Sequence, residues 1–359
     1  MSTMKVLKIN DGSAAVVSAL IPSLRPNHIL VKTIAVALNP TDWKHIWAFS
    51  GTAGCTSGCD YAGVVTAVNP GSAFKPGDRV AGWTHGGNIS NKEDGSFAEY
   101  LVANEGIALK IPEGVSFEQA ATLGVGVTTV GQGVYQTLGL PLPAPGQEQR
   151  QGVDGEQQRE KLLVYGGSTA TGTLAVQFAK LSGFEVIATS SPRNFAMLKA
   201  LGADAVFDYN SPTVGADIRK HTANRLYYAF DCISEGNSAQ ICADALSTDT
   251  AARKPAYAAL LYTELPREDV VAKVTMAYTV FGEGFWKPFG PGNYLASAED
   301  YEFGKKFWKL SEKLLEEGKL QVHPPDVRDG GLEGVLEGLR ELKDGKVSGK
   351  KLVYKIAQP

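Results

Sequence analysis

The sequence predicts an α/β protein in two parts, a β-rich part and a doubly wound parallel-sheet part. Through about residue 125, short β-branched runs are separated by Pro/Gly turns. From Leu162 to Leu261, strands alternate with helices, a pattern that implies a parallel sheet covered on both faces. A last apolar run, Lys351–Ile356, follows two helical segments and is most simply returned to the first part. The chain's 359 residues suit about two domains at ~150 residues each. The expected division is 1–125, completed by about 295–359, and 126–294, with a ligand-sized cleft between the lobes.

In order, the β-rich part offers His28–Ala37, Gly63–Val68, Arg79–Trp83 and Ala98–Val102, punctuated by Asn39-Pro40, Pro70-Gly71 and Pro76-Gly77-Asp78. Ser116 ahead of Glu118-Gln119 starts a helical stretch expected to run to about Leu138. The segment Pro143–Lys161, rich in Pro, Gly, Gln and Glu, reads as an exposed loop. Beyond it, strands are expected at Leu162–Tyr165, Glu185–Thr189, Ala205–Phe207, Tyr227–Asp231 and Ala256–Leu261. The helices between them are Gly172–Leu181, Phe195–Leu201, Val214–His221 and Ala239–Leu246. The C-terminal stretch gives helix Tyr301–Glu317, a short run Leu320–His323, helix Leu332–Lys343 and the final strand. Phe303, Phe307, Leu310 and Leu314 recur at helical spacing, and core packing explains that face better than a partner surface.

Composition narrows the function. With 43% apolar and 20% charged residues the chain is an ordinary globular protein, not a disordered one. A net charge of −3 requires no polyanion-binding surface, so nucleic acid is not an expected partner. Four cysteines in a chain of this length make no disulfide framework. Met1–Lys8 lacks an apolar signal core, and no run approaches the ~18 apolar residues of a membrane span; a cytoplasmic protein is expected.

The strand–turn–helix at Leu162–Leu181 carries Gly166-Gly167-Ser168-Thr169-Ala170-Thr171-Gly172, the setting in which helix N-terminal amides hold a pyrophosphate. Thr169 stands where a phosphate-approaching glycine is usual, and hydroxyls of Ser168, Thr169 and Thr171 are offered in its place. After the second strand, Thr189-Ser190-Ser191-Pro192-Arg193-Asn194 lacks the carboxylate that bonds a ribose 2′-OH in NAD sites. Arg193 would attract a 2′-phosphate instead, which favours NADPH over NADH. Tyr209, after the third strand, is placed to lie against an adenine.

These residues, together with Ala37-Leu38-Asn39-Pro40-Thr41-Asp42-Trp43-Lys44, Gly58-Cys59-Asp60-Tyr61-Ala62-Gly63, Pro76-Gly77-Asp78-Arg79-Val80 and Gly95-Ser96-Phe97-Ala98-Glu99-Tyr100, resemble the medium-chain dehydrogenase/reductase superfamily in its zinc-free, quinone-oxidoreductase branch. More narrowly, Leu138–Pro143, Val164–Thr171, Ala188–Phe195, Val206–Tyr209, Phe281–Gly284 and Val347–Lys350 resemble the fungal trans-acting enoyl reductases that serve polyketide synthases, the lovastatin type. The resemblance implies a GroES-like β-rich catalytic domain beside a Rossmann domain. It implies reduction of the α,β-double bond of a carrier-bound enoyl thioester with NADPH, with a polyketide synthase or synthase–peptide synthetase hybrid as partner. It also assigns cofactor contacts to Thr41, Asp42, Trp43, Lys44, Ser168, Thr169, Ala170, Thr171, Ser191, Pro192, Arg193, Asn194, Tyr209, Leu261, Tyr262, Val347 and Ser348. An acyl pocket would be lined by Val130, Gly131, Gln132, Gly133, Val134, Tyr135, Gln136, Thr137, Tyr278, Thr279, Val280, Phe281 and Gly282, with Lys44 and Thr129 at the reaction.

Asn39–Asp42 and Cys59-Asp60-Tyr61 stand where zinc dehydrogenases carry ligands, and no second cysteine pair joins Cys55 and Cys59 to close a tetrahedral site, so no metal is expected. His85 reads as a loop histidine. No Gly-x-Ser-x-Gly elbow occurs. Phe281, Phe285, Trp286 and Phe289 suit either a substrate tunnel or local packing, and Tyr61 or water is available as proton donor. Arg219, Lys220 and Arg225 are the candidates for a basic patch facing an acidic carrier. Glycines and prolines from Gly282 to Gly292, read as breaking an edge strand, favour a monomer. A quinone or enone reductase of free small molecules and an idle NADPH-binding scaffold are the competing functions.

Overall fold

The computed structural model describes residues 2–144, 159–251 and 253–358. They form two compact units, Met1–Thr128 with Tyr278–Pro359, and Thr129–Ala277. Residues 278–294, expected with the nucleotide-binding part, thus pack with the β-rich one. Of the segment read as an exposed loop, residues 145–158 lie outside the described residues.

The first unit is built on a seven-stranded sheet centred on His28–Ala37, which pairs with Asp60–Val68, Tyr100–Asn104 and the final strand Lys351–Lys355. That final strand runs antiparallel to it, Val353 opposite Ala37, as the sequence led one to expect. Several elements were missed, the following among them. A hairpin, Thr3–Asn10 with Ser13–Leu20, turns at Asp11-Gly12 with Gly12 at φ 74°. The strand preceding the last one is Pro325–Arg328, not Leu320–His323. Helix Ala298–Glu316 buries Phe307, Trp308, Leu314 and Leu315, which settles its apolar face as core, and Trp308 Nε1 donates to Thr128 Oγ1 at 2.8 Å.

The second unit is a six-stranded sheet in the order Ala205–Asp208, Glu185–Ser190, Lys161–Tyr165, Tyr228–Asp231, Ala256–Ala259, Val271–Val274, every pair parallel. Counted along the chain this is 3-2-1-4-5-6, the doubly wound dinucleotide-binding order. Its core gathers Leu163, Ile187, Ile218, Leu226, Ala229 and Tyr257. Three of the four residues of Val271–Val274 are exposed, so no apolar run marked it in the sequence. It is this strand that forms the sheet's edge. The glycines and prolines from Gly282 to Gly292 belong to the other unit, and the argument for a monomer loses its premise.

The helical stretch from Ser116 begins as expected. Ser116 Oγ accepts from the Gln119 amide at 3.2 Å, and Gln119 Oε1 accepts from the Ser116 amide at 2.9 Å. It does not run unbroken to Leu138. It stops at Ala120, resumes over Gly124–Val130 and widens into a π-helical turn over Gly131–Thr137. Two close approaches explain the glycines there. A Cβ on Gly124 would lie 2.1 Å from Asp60 Oδ1, and one on Gly133 would lie 2.4 Å from the Phe230 ring.

Candidate functional site

In the second unit, strand Lys161–Tyr165 runs into the glycine turn and helix Ala170–Leu181. Gly166 sits at φ 75° and its amide donates to Thr189 Oγ1 at 3.0 Å; the Gly167 amide donates to the Thr189 carbonyl at 2.8 Å. A Cβ on Gly172 would lie 2.3 Å from the Gly166 carbonyl, so turn and helix are pressed together by backbone contact. The Thr169 hydroxyl is spent on this turn: it donates to the Gly166 carbonyl and accepts from the Gly172 amide, both at 2.9 Å. It is therefore a helix cap rather than the phosphate donor the sequence suggested. The half-buried Ser168, Ala170 and Thr171 surround a first helical turn whose leading amides have no partner within the helix. That cradle fits the pyrophosphate of a dinucleotide.

The other expected cofactor residues of this unit also follow the C-terminal ends of strands. After Glu185–Ser190, Pro192–Asn194 forms one 3-10 turn, with Ser191 Oγ accepting from Asn194 Nδ2 at 3.3 Å and Arg193 exposed. Tyr209 is 41% exposed and Tyr262 54%, while Leu261 is half-buried. Asp231, the buried carboxylate at the end of its strand, is held by the Ile233 and Ser234 amides and the Tyr257 hydroxyl at 2.7–2.9 Å. It is a structural group. Val130 at the end of its helix and Gly131 through Tyr135 of the π-helical run are buried; the Tyr135 hydroxyl meets Ser182 Oγ at 2.9 Å, and Thr137 Oγ1 meets Thr275 Oγ1 at 3.0 Å. Thr129 is buried on the helix just before. Arg219, Lys220 and Arg225 lie at the surface around the end of helix Val214–His221.

In the first unit, Asn39 precedes helix Pro40–Trp47 and fixes its start. The Asn39 amide donates to Asp42 Oδ2 at 2.7 Å, so the Asp42 carboxyl is turned inward and burial pushes its pKa up to about 7. Its side chain is a helix-start group, not a cofactor contact. Lys351 Nζ donates to Asn39 Oδ1 at 2.8 Å and to Asp60 Oδ2 at 2.5 Å, pinning the helix start to the sheet. On the same helix Lys44 is half-buried, its Nζ 5.5 Å from the Trp43 ring centroid. Val347 packs against the core that includes Leu332 and Leu339, with Ser348 half-buried beside it.

Behind Thr41 lies a buried polar cluster that the sequence did not reveal. Lys287, 1% exposed, places Nζ 2.7 Å from His45 Nε2 and 4.0 Å from the Tyr278 ring centroid. His45 Nδ1 lies 2.7 Å from the Thr41 carbonyl and 3.3 Å from Thr41 Oγ1, which in turn lies 2.7 Å from the Tyr278 hydroxyl. His85 is buried too, stacked on Tyr278 with centroids 4.3 Å apart. Burial pushes Lys287 down to about 7, holds both histidines well below their ordinary value and lifts the Tyr278 and Cys59 groups well above theirs. Lys287 stands in Trp286-Lys287-Pro288, a string that reads as a surface loop; only the tertiary fold encloses it.

The aromatics around this cluster pack on one another: Phe281 on Trp83 at 4.7 Å, Phe285 on Tyr294 at 4.8 Å and Phe289 on Phe49 at 4.8 Å. Trp286 is 39% exposed. Tyr61 is fully buried, and its hydroxyl lies 2.7 Å from where a Gly82 Cβ would stand; it sits inside the sheet core and is withdrawn as a proton donor. Among the described residues no three His, Cys, Asp or Glu side chains gather as a metal-binding group, and no helix is long and apolar enough to cross a membrane.

Residues 25–113 match the alcohol dehydrogenase GroES-like domain, and residues 170–251 match the zinc-binding dehydrogenase family model. The chain is 47% identical over 360 aligned positions to a trans-enoyl reductase of Aspergillus sclerotiorum, covering 98% of this chain and 99% of that one. The chain belongs to the fungal trans-enoyl reductases of the medium-chain dehydrogenase/reductase superfamily. A trans-enoyl reductase of Alternaria alternata is likewise 47% identical, covering 99% of this chain and all of that one. Among solved structures, the CurK enoyl reductase has the same fold (TM-score 0.75, 19% identity, 99% of this chain and all of that one). So does a quinone oxidoreductase of Coxiella burnetii (TM-score 0.71, 23% identity, 99% of this chain and all of that one). The two units of this chain are thus a GroES-like unit and a Rossmann-type unit.

Proposed function

We propose that this protein is an NADPH-dependent, zinc-independent enoyl reductase that reduces the α,β-double bond of an enoyl thioester carried by a polyketide synthase or a synthase–peptide synthetase hybrid, in the cytoplasm. The kinship with trans-enoyl reductases over nearly the whole chain supports the reaction class. The observation that carries the cofactor choice is the end of the second strand. There an exposed Arg193 and the half-buried Ser191 follow the strand, with no carboxylate of the kind an NAD site has. When bound, the dinucleotide supplies the electron pair that reduces the double bond. The glycine cradle with Ser168 and Thr171 would hold its pyrophosphate, Tyr209 and Tyr262 would flank it, and Thr41, Lys44 and Ser348 would meet it from the GroES-like unit. Thr129 and the run Val130–Thr137, with Tyr278–Gly282, would orient the acyl chain.

Reduction of pantetheine-linked enoyl thioesters of increasing length, followed by NADPH consumption, tests this reading. The expected result is turnover that rises with thioester length, at least tenfold slower with NADH, and slower still on free quinones. Faster turnover on free quinones moves the protein to the small-molecule reductases. NADPH binding without consumption of any thioester makes it a scaffold.

A further inference from the structure

We propose that Thr41 is the group that hands the proton to the α-carbon of the reduced acyl chain, and that Lys287, acting through His45, is the buried store that replaces it. The proposal rests on the enoyl-reductase reading above and adds the proton source that reading lacks.

Two of the hydrogen-bond directions are fixed by elimination. His45 Nδ1 lies 2.7 Å from the Thr41 carbonyl, which can only accept, so Nδ1 carries the ring hydrogen. Nε2 is then a bare lone pair, and Lys287 Nζ at 2.7 Å must donate to it. The same Nδ1–H leans toward Thr41 Oγ1 at 3.3 Å, and the Tyr278 hydroxyl, 2.7 Å away, can donate to that oxygen as well. Either hydroxyl of the Thr41–Tyr278 pair can be the donor; the arrangement that serves this transfer is the one in which Tyr278 donates, which leaves the single hydrogen of the Thr41 hydroxyl to point outward. Thr41 is also the half-exposed member of the set, whereas His45, Tyr278 and Lys287 are buried. In that arrangement every donor from Lys287 to Thr41 points the same way, from the interior to the surface.

The proton count closes. Thr41 gives its hydroxyl proton to the α-carbon, whose electron pair forms the new C–H bond. The oxygen takes the Nδ1 proton of His45, and Nε2 takes a proton from the Lys287 ammonium, whose electron pair stays on nitrogen. Thr41 is restored, His45 ends as its other neutral tautomer and Lys287 ends as an amine, to be recharged by water. The positive charge stored on Lys287 is cancelled by the negative charge removed from the substrate. No charge is left stranded in the interior.

Buried lysines facing a carboxylate normally keep their proton. The groups facing Lys287 are His45, His85, Tyr278 and the thiols of Cys55 and Cys59, all held neutral by burial, with the buried Asp42 beside Cys59. Its ammonium is thus cheap to discharge, and its pKa of about 7 matches a group that must release a proton at neutral pH. Thr41 would be the catalytic residue; His45 and Lys287 are positioning residues that act through it.

Two measurements test this. In the native, cofactor-free protein, the 13Cε resonance of Lys287, assigned by its loss in Lys287→Met, should titrate near neutrality; an ordinary lysine midpoint overturns the proposal. Because the buried ammonium opposes folding, Lys287→Met is expected to fold, and Lys287→Arg, which keeps the charge but cannot release a proton, serves as the second variant. Wild-type kcat on an enoyl thioester should fall as pH rises through about 7. Both variants should be slower by roughly 10²-fold with KM unchanged and without that limb. A pH profile unchanged in both variants overturns the inference while leaving the enoyl-reductase reading intact. A wild type with the expected lysine titration but no thioester reduction overturns the reading, and the inference with it.

Discussion

Replacing Lys351 by Met removes one partner of the most enclosed ion pair among the described residues. The Lys351 side chain is 4% exposed and that of Asp60 is 0%, with Nζ 2.5 Å from Oδ2. Asp60 Oδ1 accepts from the Val125 amide at 2.7 Å, and Lys351 also holds Asn39 Oδ1. The variant leaves a fully buried carboxylate with a single backbone donor, a change that costs about 3–5 kcal/mol when a buried pair is broken on one side only. At about 2–4 °C per kcal/mol for a unit of roughly 150–250 residues, the melting point should fall by about 6–20 °C. The assay is built into the chain: all five tryptophans (Trp43, Trp47, Trp83, Trp286 and Trp308) lie in the GroES-like unit, so their fluorescence reports that unit alone. Neutralising the stranded group in the double variant Asp60→Asn, Lys351→Met should recover most of the loss. A single variant within ~1 kcal/mol of wild type, or a double variant no better than the single, would refute the claim that the unpaired charge is what costs.

Three further outcomes follow from the geometry. Gly172→Ala forces a methyl to 2.3 Å from the Gly166 carbonyl, so the turn must open; calorimetry should show NADPH binding lost and stability down by about 1–3 kcal/mol. Arg193→Glu should weaken NADPH binding by roughly ten- to a hundredfold, the worth of a charge-assisted contact, and leave NADH binding nearly unchanged; equal loss of both would detach Arg193 from the 2′-phosphate. Asp42 is raised in the fold from 3.8 to about 7, so the folded state holds the extra proton and stability must fall as pH climbs across that interval. The variant Asp42→Asn lacks this slope. In urea titrations its stability relative to wild type should improve from pH 4 to pH 7, and a constant difference would show that the carboxyl is not buried as described.

How legible was this protein? The parallel sheet was readable because four of its five strands from Lys161 to Ala259 are largely buried apolar runs between helices, the half-buried Ala205–Asp208 being the exception. The Ser116 capping box was readable because its hydrogen bonds are local. The helix beyond it was not: its break after Ala120 answers to Asp60, more than sixty residues away, whose carboxylate leaves Gly124 no room for a side chain. Strand Val271–Val274 escaped notice because an exposed edge strand needs no apolar pattern. At the glycine turn the residue types were legible but their division of labour was not. Thr169 looked like a phosphate ligand, and its hydroxyl is the cap of the helix that follows.

What the sequence determined by itself is what repeats locally or pairs by composition: the order of strands and helices, the glycine turn, and the absence of a carboxylate where NAD sites carry one. The tertiary structure alone decided which polar groups lose their water. Lys287, Asp42, His45 and His85 look like ordinary surface residues in one dimension. Their chemistry changes because chain segments about forty and two hundred and forty positions away close over them, and desolvation depends on what surrounds a group in space, not on its neighbours along the chain.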